Sequence, residues 1–389
     1  MSRAARLSVL VLDASARQAL AAVRALGRAG LDVGAAGYEE RNDLARDSRR
    51  ASRSHRLPDP GSSGDAFHAA LDALLERHGY GVVVATDDAT IARLRERPPG
   101  VPCVPDVLAN LDPLGDKVEL AALARDVGVA YPETVAVDPT RSPVDLVQAL
   151  GLPVVVKAST SARLVNGHVL AHAGAVLART AESVRDAVDV VREAGLIPIA
   201  QRPAERAEKI DVAIVRRDER SEVRLAYRVV RDVPLTGGLA VTLETVRSTT
   251  GSGADALEAL ERVCDAAGYE GIANGEFCVA ADGTATLIEV NARPWASMWF
   301  AERLGQGVAA RSVRHAAGLP PLPPAPPPRR RRYHHVVGEL QWASLHDRVA
   351  PRLVELVAST RPWDVFEYDD LGDPWPLLRH AARRAKGRG

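Results

Sequence analysis

Residues 276–293 read EFCVAADGTATLIEVNAR, two short β runs on either side of Asp282-Gly283. Asp-Gly between alternating apolar residues is a strong hairpin signal, because the favoured two-residue turn needs positive φ at both central positions. Such a turn pairs Ala281 with Thr284, and the ladder then sets Glu276 opposite Glu289 on one face. Their Cβ atoms would stand about 4.5–5.5 Å apart, where like charges repel unless a cation lies between them. Strand side chains alternate, so Asn291 and Arg293 continue the face that carries Glu289. Glu276, Glu289 and Asn291 are hard oxygen donors suited to Mg²⁺, with Mn²⁺ as a substitute, and such ions keep water and phosphate oxygens as further ligands. Arg293 is then placed to meet a transferring phosphate or an acyl-phosphate oxygen. The bland alternative is a hairpin with a solvated acidic face.

Outward from this hairpin, two lysines stand where a phosphate chain would need them. Lys117 follows Asp116 at the start of a predicted helix that runs to Val127 and stops at Gly128; the helix dipole disfavours a cation there unless an anion is near. Lys157 ends the apolar run Pro153-Val-Val-Val, where an ammonium fits only if it points into a cleft. Taken singly, each lysine is as readily a solvated surface group. Ser159, Thr160 and Ser161 follow Lys157 and precede an Asn166-Gly167 hairpin signal. His168 and His172, four apart in that hairpin, read as surface residues rather than a metal pair. Residues 197–215, IPIAQRPAERAEKIDVAIV, read as strand, polar connection, strand. The backbone beside Gln201 could meet an adenine edge, and Glu208 could accept ribose hydroxyls. The turn from Pro234 to Gly238 can approach a ligand closely or be a plain turn. Arg231 and Arg247 are candidate carboxylate anchors or surface arginines.

The N-terminal region alternates in period. Leu7 to Leu12 is an apolar run, Asp13-Ala14-Ser15 a turn with an N-cap, and Arg17 to Ala29 a helical pattern ending at Gly30. Val33 to Ala36 reads as a second strand, and a helix from Asp65 to His78 precedes a third, Gly81 to Ala85. This alternation predicts a parallel α/β sheet covered on both faces. No G-x-G-x-x-G follows the first strand, so a dinucleotide fingerprint is absent. Thr86, Asp87 and Asp88 close the third strand at its carboxyl edge, where open sheets bind ligands, unless they simply cap the next helix. Beyond Leu111 strands with polar turns dominate. Residues 319–328, LPPLPPAPPP, with Arg329 to Arg332 behind them, predict a polyproline-like spacer outside any packed core, with the arginines solvated. The segment 333–389, with Trp342, Trp363 and Trp375, predicts a small appendage folded back on the rest.

A chain of 389 residues with 46% hydrophobic content is too long for one core and apolar enough for two or three. Fifty basic and fifty acidic side chains cancel, which excludes the single-sign field that wraps nucleic acid or an anionic membrane and points to small-molecule partners. Three cysteines without metal-ligand spacing suit a reducing cytoplasm. The apolar stretch from Leu7 is too short for a signal segment or a membrane span. A homodimer is the default oligomer.

Read together, Asp116-Lys117, Val154-Val-Val-Lys157, Pro234-Leu-Thr-Gly-Gly238 and above all Leu287-Ile-Glu-Val-Asn-Ala-Arg-Pro-Trp-Ala-Ser297 resemble the ATP-grasp superfamily over residues 1–315. The resemblance implies an α/β fold with an α+β centre. A parallel pre-ATP-grasp domain (1–112) would precede a two-lobed ATP-grasp domain (113–318), a Pro/Arg-rich linker (319–332) and a C-terminal appendage (333–389). It further implies Lys117 and Lys157 on phosphates, Glu208 on ribose, the metal on Glu276, Glu289 and Asn291, and Arg293 steadying an acyl phosphate. Trp295 and Ser297 resemble the carboxylate-amine ligase subgroup, which implies amide formation from a carboxylate and an amine at the expense of ATP. Bicarbonate activation, as in carboxylases, and a non-catalytic nucleotide-binding regulator are the alternatives. Ala158, Ala292 and the serine-rich 159–161 loop depart from the family's usual proline and glycine positions.

Overall fold

The computed structural model describes residues 7–38, 43–62, 64–137, 142–171, 174–234 and 238–379. The first part alternates strand and helix: β1 (Ser8–Val11), α1 (Arg17–Arg28), β2 (Asp32–Tyr38), β3 (Arg53–Leu57), α2 (Gly64–His78), β4 (Val82–Val84), α3 (Asp88–Glu96) and β5 (Cys103–Val104). Runs such as SVLV and VVV are buried on both faces and take the sheet interior; the order is β3-β2-β1-β4-β5 with every pair parallel. The strand expected third is therefore fourth. β3, reading RSHRL and mostly exposed, is an edge strand whose charged side chains carry no apolar signature.

Asp13 does not cap α1. Ala16 is the N-cap and makes no side-chain bond. Asp13 instead sits at φ 60° and turns inward, accepting from the Tyr38 hydroxyl at 2.6 Å and from the Thr86 and Asp87 amides at 2.7 and 3.0 Å. One buried carboxylate thus ties the end of β1 to β2 and to the β4–α3 turn.

Helices α4 (Asp112–Gly115) and α5 (Lys117–Asp126) lead to a small lobe of β6 (Thr134–Ala136), α6 (Pro143–Leu150), β7 (Val154–Ala158), β8 (Ala162–Val165), β9 (His168–Ala171), β10 (Ala175–Ala178), α7 (Ala181–Glu193) and β11 (Pro198–Gln201). Its antiparallel sheet runs β10-β7-β11-β6 over a core of its own that includes Leu146, Val154, Val156 and Val184. The β8–β9 hairpin turns on Asn166 and Gly167, both at positive φ, as their pairing predicts.

The large lobe contains β12 (Glu208–Arg217), β13 (Arg220–Val233), β14 (Leu239–Thr245), α8 (Ser252–Ala266), β15 (Gly271–Val279), β16 (Ala285–Asn291), α9 (Met298–Arg303), α10 (Val308–Ala316), β17 (Arg332–His334), α11 (Val336–Ser344), α12 (Val349–Ser359) and β18 (Val365–Phe366). Its sheet runs β16-β15-β12-β13-β14-β17-β18. Two apolar cores join it to the N-terminal domain. One mixes Leu10 and Leu94 with Ile210, Leu260 and Phe277, and the other mixes Val23 with Val215, Trp299 and Tyr333.

The proline run is no free spacer. Polyproline backbone makes no internal hydrogen bonds, so its carbonyls are open acceptors. Arg217 donates to Leu319 O at 2.8 Å, Arg314 to Pro320 O at 2.8 Å and Gln306 to Pro326 O at 2.8 Å, while Arg311 donates to Pro323 O. Of the arginines that follow, Arg329 and Arg330 are exposed as expected, while Arg331 and Arg332 are half-buried. Arg330 and Arg332 reach Glu244 at 3.0 and 3.5 Å, Arg331 donates to Trp363 O at 2.7 Å, and β17 pairs with β14 inside the large sheet.

Beyond β18 the chain returns to the N-terminal domain. Asp373 is fully buried and accepts from Arg24 Nε at 3.0 Å, Ser48 Oγ at 2.5 Å and the Arg49 amide at 2.8 Å. Asp373→Ala leaves the Arg24 guanidinium, 1% exposed, without this partner. The variant should lose about 3–5 kcal/mol of unfolding free energy, read as a lower urea midpoint at unchanged slope. A loss below about 1 kcal/mol, the scale of a surface pair, would show that the return segment does not hold the N-terminal domain.

Candidate active site

The hairpin closes differently from expectation and still opposes the two carboxylates. The Ala280 amide bonds Thr284 O at 3.0 Å, so the loop has three residues, Ala281-Asp282-Gly283. That shifts the ladder to Val279↔Ala285, Cys278↔Thr286 and Phe277↔Leu287. A bulge at Ile288 then sets two residues against one and restores the expected pairs, Glu276↔Glu289 and Asn274↔Asn291. The bulge is braced from outside: the Tyr131 hydroxyl donates to Ile288 O at 3.3 Å and the Leu287 amide to Ala130 O at 2.8 Å.

Each carboxylate meets a lysine. Lys117 is the first residue of α5, whose N-cap Asp116 accepts from the Val118 and Glu119 amides. Its Nζ lies 3.2 Å from Glu289 Oε1, so the anion expected near this helix start is Glu289 itself. Lys209 on β12 puts Nζ 2.8 Å from Glu276 Oε2 and 3.1 Å from Gly238 O. Burial works to raise the Glu289 carboxyl, but Lys117 and Lys157 outweigh it and hold the group below the usual carboxylate range. Lys157 reaches the same place from β7 of the small lobe. Burial pushes its ammonium down to about 8, against the upward pull of Glu289 and Glu276 and with Lys117 adding repulsion.

Lys209 was not singled out in the sequence, yet a signal for it exists. Lysine and arginine number 50 together, and only four are lysine: Lys117, Lys157, Lys209 and Lys386. The first three converge on this cleft.

Arg293 is held by a two-pronged pair with Asp88, Nε to Oδ1 at 2.7 Å and Nη2 to Oδ2 at 2.8 Å, and Nη1 donates to Pro294 O at 3.2 Å. Burial works to lower its pKa, and the charge and bonds of Asp88 more than offset this. The two readings of the β4 edge therefore both hold: Asp87 caps α3 through the Ala89 amide at 2.9 Å, while Asp88 reaches into the cleft. A cavity of about 100 Å³ lies here, lined by Asp88, Arg95, Thr160, Glu289, Asn291 and Arg293 among others. The β8–β9 hairpin is docked beside it, with Arg93 donating to Gly167 O at 2.7 Å.

Other expected residues lie apart. Gln201 is buried and its Nε2 donates to the Thr134 hydroxyl at 2.9 Å, which fixes the side chain within the small-lobe sheet. Glu208 opens β12 and accepts from Ser252 Oγ at 3.1 Å. Alternation turns it to the face opposite Lys209, so it can meet only a ligand that passes the end of β12. Arg231 is no substrate anchor: it is buried against Glu339 at 3.4 Å, Glu355 at 3.0 Å and the Trp342 ring at 5.0 Å, where it fastens α11 and α12 to the sheet. Arg247 is exposed and His168 lies exposed on β9. His172 and residues 235–237 of the glycine turn lie outside the described residues.

No protein-family model matches the sequence, and no curated protein matches it. Solved structures do match in three dimensions. An ADP complex of purK, N5-carboxyaminoimidazole ribonucleotide synthetase, is similar at TM-score 0.66 and 14% identity, covering 91% of this chain and 86% of that one. The L-amino acid ligase from Bacillus licheniformis is similar at TM-score 0.62 and 16% identity, covering 82% and 75%. Biotin carboxylase from Campylobacter jejuni, in a β,γ-ATP complex, is similar at TM-score 0.63 and 15% identity, covering 81% and 72%. The chain has the ATP-grasp fold. Among the described residues there is no group of three or more His, Cys, Asp or Glu that could hold a metal ion. A metal here would rest on two carboxylates and an amide and share oxygens with its ligand, which suits Mg²⁺. The opposed pair, each member met by an ammonium, also shows the cation demand that such an ion would meet.

The pKa of Lys157 carries a sign. Burying its ammonium costs stability in full below about pH 8. That cost fades as pH rises from about 8 towards the ordinary lysine value of about 10.4, so stability rises with pH across this window. After reductive ¹³C-methylation, one dimethyl-lysine resonance should titrate near pH 8 and vanish in Lys157→Arg. A midpoint near 10.4 would place the ammonium in solvent.

Proposed function

We propose that this protein is an ATP-dependent ligase that activates a carboxylate as an acyl phosphate and passes it to an amine, releasing ADP and phosphate. The observation that carries this reading is the convergence of three of the chain's four lysines with an opposed carboxylate pair in the cleft of an ATP-grasp fold. Positioning and charge neutralisation supply most of the catalysis in phosphoryl transfer, and the cleft is built from those means. Lys117 and Lys157 face the phosphates. The backbone beside Gln201 and the carboxylate of Glu208, at the rim of β12, are the proposed contacts for adenine and ribose. Glu276, Glu289 and Asn291 would hold Mg²⁺ or Mn²⁺, which when bound neutralises phosphate charge. Arg293, steadied by Asp88, offers its remaining N–H groups to the carboxylate being activated. The reading needs no side-chain nucleophile.

We further read 1–112 as the pre-ATP-grasp domain and the rest as the two lobes, with β17 and β18 continuing the large sheet. No helix among the described residues is long and apolar enough to cross a membrane. The three cysteines are free, which agrees with a reducing compartment.

The test is ADP release from MgATP with carboxylates and amines offered in pairs, bicarbonate included. A productive pair should support turnover, and Glu289→Gln should reduce it about 10²- to 10³-fold. Turnover with bicarbonate alone would favour the carboxylase reading. Nucleotide binding has a separate readout, because Cys278 is the one free cysteine that is not buried and lies across the ladder from Lys209. Its alkylation should slow when MgATP binds, and an unchanged rate with no turnover would sink the ligase reading.

A further inference from the structure

A chain that meets nearly every cationic need with arginine keeps lysine at four positions, and one of the three in the cleft, Lys209, is given no ligand contact in the reading above. We propose that Lys209 is a third phosphate-contacting lysine of the nucleotide cleft, kept in position by the buried carboxylate of Asp211. This rests on the ATP-binding reading of the same cleft.

Alternation along β12 puts Lys209 and Asp211 on one face, and the ladder sets Asp211 opposite Glu276 and Lys209 opposite Cys278. An ammonium has three protons to place. Lys209 gives one to Glu276 at 2.8 Å and one to Gly238 O at 3.1 Å, leaving the third for a ligand. Gly238 suits its tight turn, where a Cβ would stand 2.5 Å from Val233 O.

Asp211 supplies the independent observation. The residue is only 7% exposed, and its Oδ1 is buried without a hydrogen-bond partner. An unpaired buried carboxylate oxygen is costly: burial pushes the Asp211 carboxyl up to about 7, Lys209 is the cation that pulls it back, and Glu276 and Asp232 add repulsion. Asp232, the other carboxylate nearby, is already taken by Arg206 at 2.7 Å. Were Glu276 to hold a metal ion, Lys209 would lose that acceptor and Asp211 would offer another on the same face. Gly238 O retains the second proton and the third meets a phosphate oxygen. Lys209 then stands to Glu276 as Lys117 stands to Glu289: each ammonium neutralises one carboxylate of the pair. The residue type fits the task, since lysine is a compact point charge that changes partner by rotation, whereas an arginine fork locks to one carboxylate.

The test measures binding in the full chain, using MgATP and adenosine as probes. Lys209→Met should weaken MgATP about ten- to hundredfold, the scale of one charge-assisted hydrogen bond, and leave adenosine affinity unchanged. Asp211→Asn should shift MgATP in the same direction by less, and add nothing in the Lys209→Met background. MgATP affinity in Lys209→Met equal to the wild type would overturn the proposal while leaving the nucleotide reading intact. A wild type that binds no MgATP overturns both. If the variants do not fold, acetylation of the wild type decides: with only four lysines, Lys209 should be shielded by MgATP and not by adenosine, and equal labelling in both overturns the assignment.

Discussion

Two carboxylates facing each other across one antiparallel ladder form the constraint on which the rest of the cleft depends. Glu276 and Glu289 cannot both remain ionised in a half-buried setting unless cations approach from other elements. Lys117 comes from the first turn of α5, Lys209 from the neighbouring strand β12, and Lys157 from the small lobe. The helix start, the large sheet and the small sheet are thereby held to one point. Three ammoniums thus offset two carboxylates.

The N-terminal domain takes part in the cleft as well as supporting it. Its central strands share apolar cores with the large lobe, so the β4–α3 turn is placed by packing. Asp13 fixes that turn through the Thr86 and Asp87 amides, and the next residue, Asp88, holds Arg293. A chain of contacts therefore runs from a buried carboxylate under β1 to the guanidinium at the end of β16. The small lobe has its own core and meets this body through connecting segments, the Lys117–Ser159 backbone bond and the docked β8–β9 hairpin.

Elements with strong local signals were legible in the sequence: the apolar β strands, the Asp116-capped helix, and the Asn166-Gly167 hairpin. The opposition of Glu276 and Glu289 was legible for a partly wrong reason. The turn has three residues instead of two, and the bulge at Ile288 cancels the slip. Nothing local announces the bulge, and the segment that braces it, Ala130–Tyr131, is distant in the chain. β3 was missed because an edge strand needs no apolar pattern, and the proline run was misread because its partners, Arg217, Gln306, Arg311 and Arg314, lie elsewhere in the chain. Arg231 was misplaced because the sequence does not show that α11 and α12 fold over it.

The division of labour between the two basic residue types gives this cleft its character. Arginine does the permanent tying: Arg24 to Asp373, Arg231 to Glu339 and Glu355, and Arg330 and Arg332 to Glu244. Each of these sites suits a planar fork that binds carboxylate and stays bound. Among the described residues, lysine is withheld from such duty. On the proposed reading a permanent tie in the cleft would defeat the purpose, since Glu276 and Glu289 would have to change partners. An ammonium on a flexible stem neutralises a carboxylate and then turns to a phosphate without unmaking a fixed geometry. Arg293 is the exception that fits the same logic: its fork is anchored to Asp88, outside the Glu276–Glu289 pair, and in the proposed ligase it would keep that bond while its remaining N–H groups met the substrate.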